Sequence, residues 1–73
     1  MTTTVRAHIT GTVWKIEVAV GDAVVEGQTL VILESMKMEM PVESPGAGKV
    51  ARILTVEGAS VEEGAALVEL LAS

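Results

Sequence analysis

Few side chains in this sequence can do chemistry, and they do not gather into a catalytic set. There is no cysteine, no tyrosine and one histidine, His8. The lack of cysteine removes a disulfide scaffold, a thiolate metal site and a cysteine nucleophile. His8 has no serine, aspartate or second histidine at a useful spacing, so it reads as a surface or edge-strand residue. Ser35 lies outside any G-x-S-x-G elbow, and no G-x-x-x-x-G-K-[ST] loop is present to hold a nucleotide. What remains is an amine, Lys37, in the run Glu34-Ser35-Met36-Lys37-Met38-Glu39-Met40-Pro41. Lysine offers a primary amine on a long, flexible stem. The two methionines beside it either fill gaps in a core or form a docking surface, because an exposed thioether pair is otherwise poor surface design. Met40 continues the spacing by two and reads as structural. Glu34 and Glu39 read as recognition charges or as solvated carboxylates.

Composition narrows the functions this lysine could serve. The chain has 73 residues, of which 49% are hydrophobic and 21% charged, as in a small globular domain. One domain spanning residues 1–73 is expected, and Met1 with the short tails favours a free-standing subunit. Five basic residues stand against ten acidic ones, a net charge of -5, and the basic residues are scattered singly. Nucleic-acid binding needs a basic footprint and stacking aromatics, whereas Trp14 is the single aromatic here, so no nucleic-acid partner is expected. Apolar runs such as Leu30-Val31-Ile32-Leu33 are too short to span a bilayer. No apolar h-region opens the chain, and the cytoplasm is the expected compartment.

The elements that must position Lys37 come from an internal repeat. Shifting the chain by 37 residues superposes Gly11, Val13, Ile16, Gly21, Val24, Glu26, Gly27, Leu30, Val31 and Leu33 on identical residues from Gly48 to Leu70. Each copy reads G-x-V-x-[KR]-I and then G-x-x-V-x-E-G-x-x-L-V-x-L. The stretch Trp14 to Val20 alternates, which predicts one strand with Trp14, Ile16, Val18 and Val20 on its buried face. Gly21, Gly27, Gly58 and Gly64 read as turn glycines needing positive φ, with Asp22 beside the first. Short β-branched runs between glycine turns predict an all-β fold, a flattened β-barrel or sandwich of two pseudo-twofold related four-stranded halves. The copies are expected to pack face to face around an aliphatic core, with Trp14 as its largest member. Lys37 sits between the copies, and its counterpart would be residue 74, beyond the last residue. Symmetry therefore places Lys37 on an exposed hairpin at one end, with both termini near the other.

These residues resemble the biotinyl domain of biotin-dependent carboxylases. The likeness rests on Glu34-Ser35-Met36-Lys37-Met38, on Gly21-Asp22-x-Val24-x-x-Gly27-Gln28-x-Leu30 before it, and on Ser44-Pro45-Gly46-x-Gly48-x-Val50 after it. It spans roughly residues 5 to 71. The resemblance implies that biotin is attached covalently to Lys37 by a biotin protein ligase. Met36 and Met38 would then flank the site as recognition residues, with Glu34 and Ser35 completing the motif. It further implies a non-catalytic carrier subunit, its arm shuttling carboxylate from a biotin carboxylase to a carboxyltransferase. Ser35 stands where the family usually has alanine, and His8-Ile9-Thr10-Gly11 where many members have a proline-glycine turn. The short Val20-Gly21-Asp22-Ala23-Val24 connection leaves no room for the protruding insertion of some bacterial carriers.

Two other readings compete. A lipoyl carrier shares the fold and the hairpin lysine, but typically has Asp-Lys-Ala there, so Met36-Lys37-Met38 argues for biotin. An unmodified assembly module, like the half-motifs of membrane-fusion adaptors, would lack the central lysine and carry a helical hairpin.

Overall fold

The computed structural model describes residues 2–72. They form eight strands: β1 (Thr2–Arg6), β2 (Gly11–Ile16), β3 (Ala23–Val24), β4 (Thr29–Ser35), β5 (Met38–Glu43), β6 (Gly48–Ile53), β7 (Ser60–Val61) and β8 (Ala66–Ala72). The expected all-β architecture is present as two four-stranded antiparallel sheets. We call the one ordered β5-β4-β2-β7 the hairpin sheet and the one ordered β1-β8-β6-β3 the terminal sheet. No helix in the described residues is long and apolar enough to cross a membrane.

The two copies interleave. Each sheet takes two strands from each copy, so the simple stacking of one copy on the other gives way to strand exchange. The reason is visible in the backbone bonds. Gly21 N–H donates to the Val50 carbonyl (2.8 Å), and its counterpart Gly58 N–H donates to the Val13 carbonyl (2.7 Å). Gly27 bonds Ser44, and Gly64 bonds Ala7, in the same paired way. All four glycines have positive φ, between 84° and 96°. Each is the third residue of a four-residue turn closed by a backbone bond, as Gln28 N–H to the Val25 carbonyl shows (3.1 Å). That is the position a type II turn reserves for glycine. Asp22 is a turn residue as expected, its Oδ2 accepting from Ala19 N–H (2.9 Å).

The core is aliphatic and symmetric. Val13, Leu30, Val31 and Leu33 are buried together with their counterparts Val50, Leu67, Val68 and Leu70. Trp14 does not join them, contrary to the sequence expectation, and is 47% exposed. A β-bulge between Val13 and Lys15 breaks the period-2 alternation at that point. Val13 turns inward in place of Trp14. The strand expected to run to Val20 ends at Ile16, and Val20 is exposed. Thr2 pairs with Leu71, which is the pseudosymmetric equivalent of the pair Glu39 and Glu34. The two ends of the described chain thus occupy the place opposite in symmetry to the Lys37 turn.

Two further glycines separate a steric from a conformational demand. A Cβ on Gly11 would lie 2.5 Å from the Glu34 carbonyl oxygen, and one on Gly48 2.6 Å from that of Leu71. At Gly27 and Gly64 a Cβ would meet nothing, but φ is positive; at Gly46 neither obstacle exists. Gly11→Ala and Gly48→Ala should each destabilise by about 1–3 kcal/mol through overpacking against backbone, and Gly27→Ala by about 1–2 kcal/mol through φ alone. Gly46→Ala should stay within about 0.5 kcal/mol of the parent. Urea melts of the four variants check this order, and equal midpoints for Gly11→Ala and Gly46→Ala would contradict it.

Candidate functional site

Strands β4 and β5 make a tight hairpin with Ser35 opposite Met38, Glu34 opposite Glu39, Leu33 opposite Met40 and Ile32 opposite Pro41. Only Met36 and Lys37 link the strands, with φ of 53° and 65°. Positive φ at both central residues is the requirement of a type I′ turn, which matches the twist of antiparallel strands. Such turns favour Asn-Gly because other side chains crowd the backbone there, at roughly 1–2 kcal/mol per residue. Methionine and lysine have neither advantage. Strain held at a loop tip by unsuited residues points to a function for those side chains.

The turn presents its side chains to solvent. Met36 is 91% exposed and Met38 58%, so neither fills the core. Lys37 is exposed and makes no ion pair among the described residues. Met40 is half-buried opposite the fully buried Leu33, in the structural role expected of it. Glu34 and Glu39 are exposed and directly opposite each other on the outer face of the sheet. Like charges in that relation are mildly destabilising. His8 is exposed on the connection after β1 and takes no part.

The base of the hairpin is held by a residue the sequence reading did not assign to the site. Gly11 on β2 lets its strand lie against the Glu34 carbonyl, and a Cβ there would also come 3.4 Å from the Cβ of Ser35. This close approach requires glycine at position 11. The signal was present as the repeated G-x-V motif, since Gly48 approaches Leu71 in the same way. Among the described residues no group of histidine, cysteine and acidic side chains could hold a metal ion.

The β scaffold thus offers one exposed primary amine, that of Lys37, at a two-residue tip. A family model described as biotin-requiring enzyme matches residues 1–70, and the chain belongs to that family. It is similar to a biotin/lipoyl attachment protein of Bacillus subtilis, 43% identical over 67 residues, with 92% of both chains covered. It is also similar to a biotin carboxyl carrier protein of Streptococcus mutans, 42% identical over 67 residues, covering 92% of this chain and 52% of that one. Among solved structures, a single-chain, multi-domain long-chain acyl-CoA carboxylase contains a matching domain at 30% identity and a TM-score of 0.93. The match covers 99% of this chain and 7% of the carboxylase.

Replacing Met36-Lys37 by Asn-Gly should relieve the turn. The double variant is expected to gain about 1–2 kcal/mol of stability and to lose all capacity for modification at the tip. Thermal melting and intact mass read the two effects separately. A lower melting temperature would show that the turn carries no strain.

Proposed function

We propose that Lys37 is the residue on which biotin is carried, and that the chain serves as the carrier of a biotin-dependent carboxylase. The observation that supports this most strongly is the exposed Lys37 on a strained two-residue turn between two exposed methionines. Family membership and the biotin-named relatives agree with it. The site fits the group: the amine is solvent-facing, unpaired among the described residues, and clear of the core.

In the loading step the Lys37 amine, deprotonated, attacks the activated carbonyl that a biotin protein ligase presents. A C–N bond forms, the activating group departs with the electron pair of its bond, and the amine proton passes to solvent or ligase. The side chain loses its cation, so a chain of net charge -5 becomes one unit more acidic. Biotin, once attached, supplies the carboxylate-carrying chemistry between a biotin carboxylase and a carboxyltransferase. The chain itself fixes where the arm begins. Because Met36 and Lys37 are locked by the strand pairing beneath them, the arm swings from a defined point rather than from a loose loop.

Co-expression with a biotin protein ligase should add one biotinyl group, about 226 Da by the mass balance of amide formation. Lys37→Arg should abolish the gain and leave the melting temperature unchanged. Biotin on Lys15 or Lys49 instead would refute the site. Met36→Asp with Met38→Ala tests the choice of biotin over lipoate. Removing the two apolar contacts is worth roughly 1–3 kcal/mol to a docking enzyme, so biotinylation should slow about tenfold or more. Lipoylation by a lipoate ligase should hold or rise. A parental biotinylation rate would show that the methionines do not direct the choice.

A further inference from the structure

The pseudo-twofold gives each outer face its own control. On the hairpin sheet, Lys15, Ile32 and Pro41 stand side by side across β2, β4 and β5. Their counterparts on the terminal sheet are Arg52, Glu69 and Thr4, also side by side. There Arg52 donates to Glu69 (3.3 Å), and the row is polar. Trp14, the chain's single aromatic, corresponds to Ala51. Both positions lie in the equivalent bulge. Val13 is fully buried and Ile16 packs against the core, so Trp14 and Lys15 between them both point outward. Ile32 is half-buried and stands between the fully buried Val31 and Leu33, which places it on the outer face. The same strand framework carries a polar row on the terminal sheet. The fold therefore does not require the apolar stripe of Trp14, Ile32 and Pro41.

Building on the carrier reading, we propose that this stripe is where the ligase that loads Lys37 seats the domain. Position is the first argument. Ile32 and Pro41 lie three residues below Ser35 and Met38 on the hairpin strands, about 10 Å from the turn at ~3.4 Å per residue. A standard interface covers about 800 Å² of each partner, roughly 28 Å across, so one centred on the hairpin reaches the stripe. The inner face of these strands is core, which leaves the outer face as the broad surface continuous with the tip. Reach is the second argument. The unmodified lysine stem has only four methylenes, so the loading enzyme must bring its body close to the domain. Enzymes that meet the loaded carrier have a longer arm to work with. Charge is the third. Glu34, Glu39 and Glu43 rim the stripe on its outer face, all exposed, and Lys15 beside Ile32 is paired with Glu17 (3.5 Å). The surface that fits is an apolar pocket for the indole, edged by lysine or arginine.

The test uses initial rates of biotinylation by a purified biotin protein ligase at varied carrier concentration. Trp14→Ser and Pro41→Arg should each lower kcat/KM at least tenfold, carried by KM, with unchanged melting temperatures. The second variant places a cation where the ligase presents its own. Leu71→Ser, an exposed change on the terminal sheet, should stay within twofold. Folded Trp14→Ser and Pro41→Arg proteins modified at the parental rate would overturn the inference. So would a parental rate accompanied by loss only in a carboxylase assay, or by conversion of a parental dimer to a monomer, since the stripe would then belong to those contacts. In each of these cases the carrier reading stands. Failure of the parent to take up biotin would overturn both.

Discussion

The backbone bonds that cross between the copies carry the rest of the molecule. Gly21 to Val50 and Gly58 to Val13 tie each copy's turn to the other copy's strand. Neither copy has a complete sheet without them, because each sheet holds two strands from each. The buried residues Leu30, Val31 and Leu33 share one apolar cluster with Leu67, Val68 and Leu70 of the other copy. A domain this small has little surplus stability, on the order of 4–11 kcal/mol at typical values per residue. Folding is therefore expected to be all-or-none. The positive-φ glycines are costly to replace because they close the turns that make the exchange possible.

Once the scaffold is symmetric, its departures from symmetry carry the functional information. The turn at Met36 and Lys37 has no equivalent loop, since the matching position is occupied by the paired ends near Thr2 and Leu71. Trp14 against Ala51, and Ile32 against Glu69, are two further departures. Trp14 and Ile32 both lie on the hairpin sheet. These differences make the outer face of the hairpin sheet unlike that of the terminal sheet.

The repeat made most of the fold legible in the sequence. Identities at a constant offset fixed the number of strands, the glycine turns and the placement of Lys37. Strand exchange was not legible, because a repeat shows that two units are alike but not how their edges pair. Trp14 was misplaced for a local reason. The bulge puts Trp14 out of phase with Ile16 and Val18, which face the core as the alternation predicts. The exposed hairpin position of Lys37 was legible from the repeat, whereas the conformation of its turn was not. Type I′ turns announce themselves by asparagine and glycine, and this one has neither. Gly11 was visible as a motif residue, but its role needed the distance to Glu34.

Strain and rigidity at the tip are two aspects of one arrangement. Holding Met36 and Lys37 at positive φ costs about 2–4 kcal/mol together, a large fraction of what a domain of this size can hold. A longer loop with glycine would remove that cost, and each doubling of loop length adds only about 0.6 kcal/mol of closure entropy. The strained form persists because the strands below leave no alternative. Ser35 and Met38 are paired, Leu33 is fully buried between β2 and β5, and Gly11 lets β2 press against the Glu34 carbonyl. A looser tip would scatter the lysine over many positions and dilute its effective concentration at an enzyme's active site. The two-residue turn exchanges stability for a fixed starting point, and it is the buried half of the hairpin, not the exposed half, that makes the exchange possible.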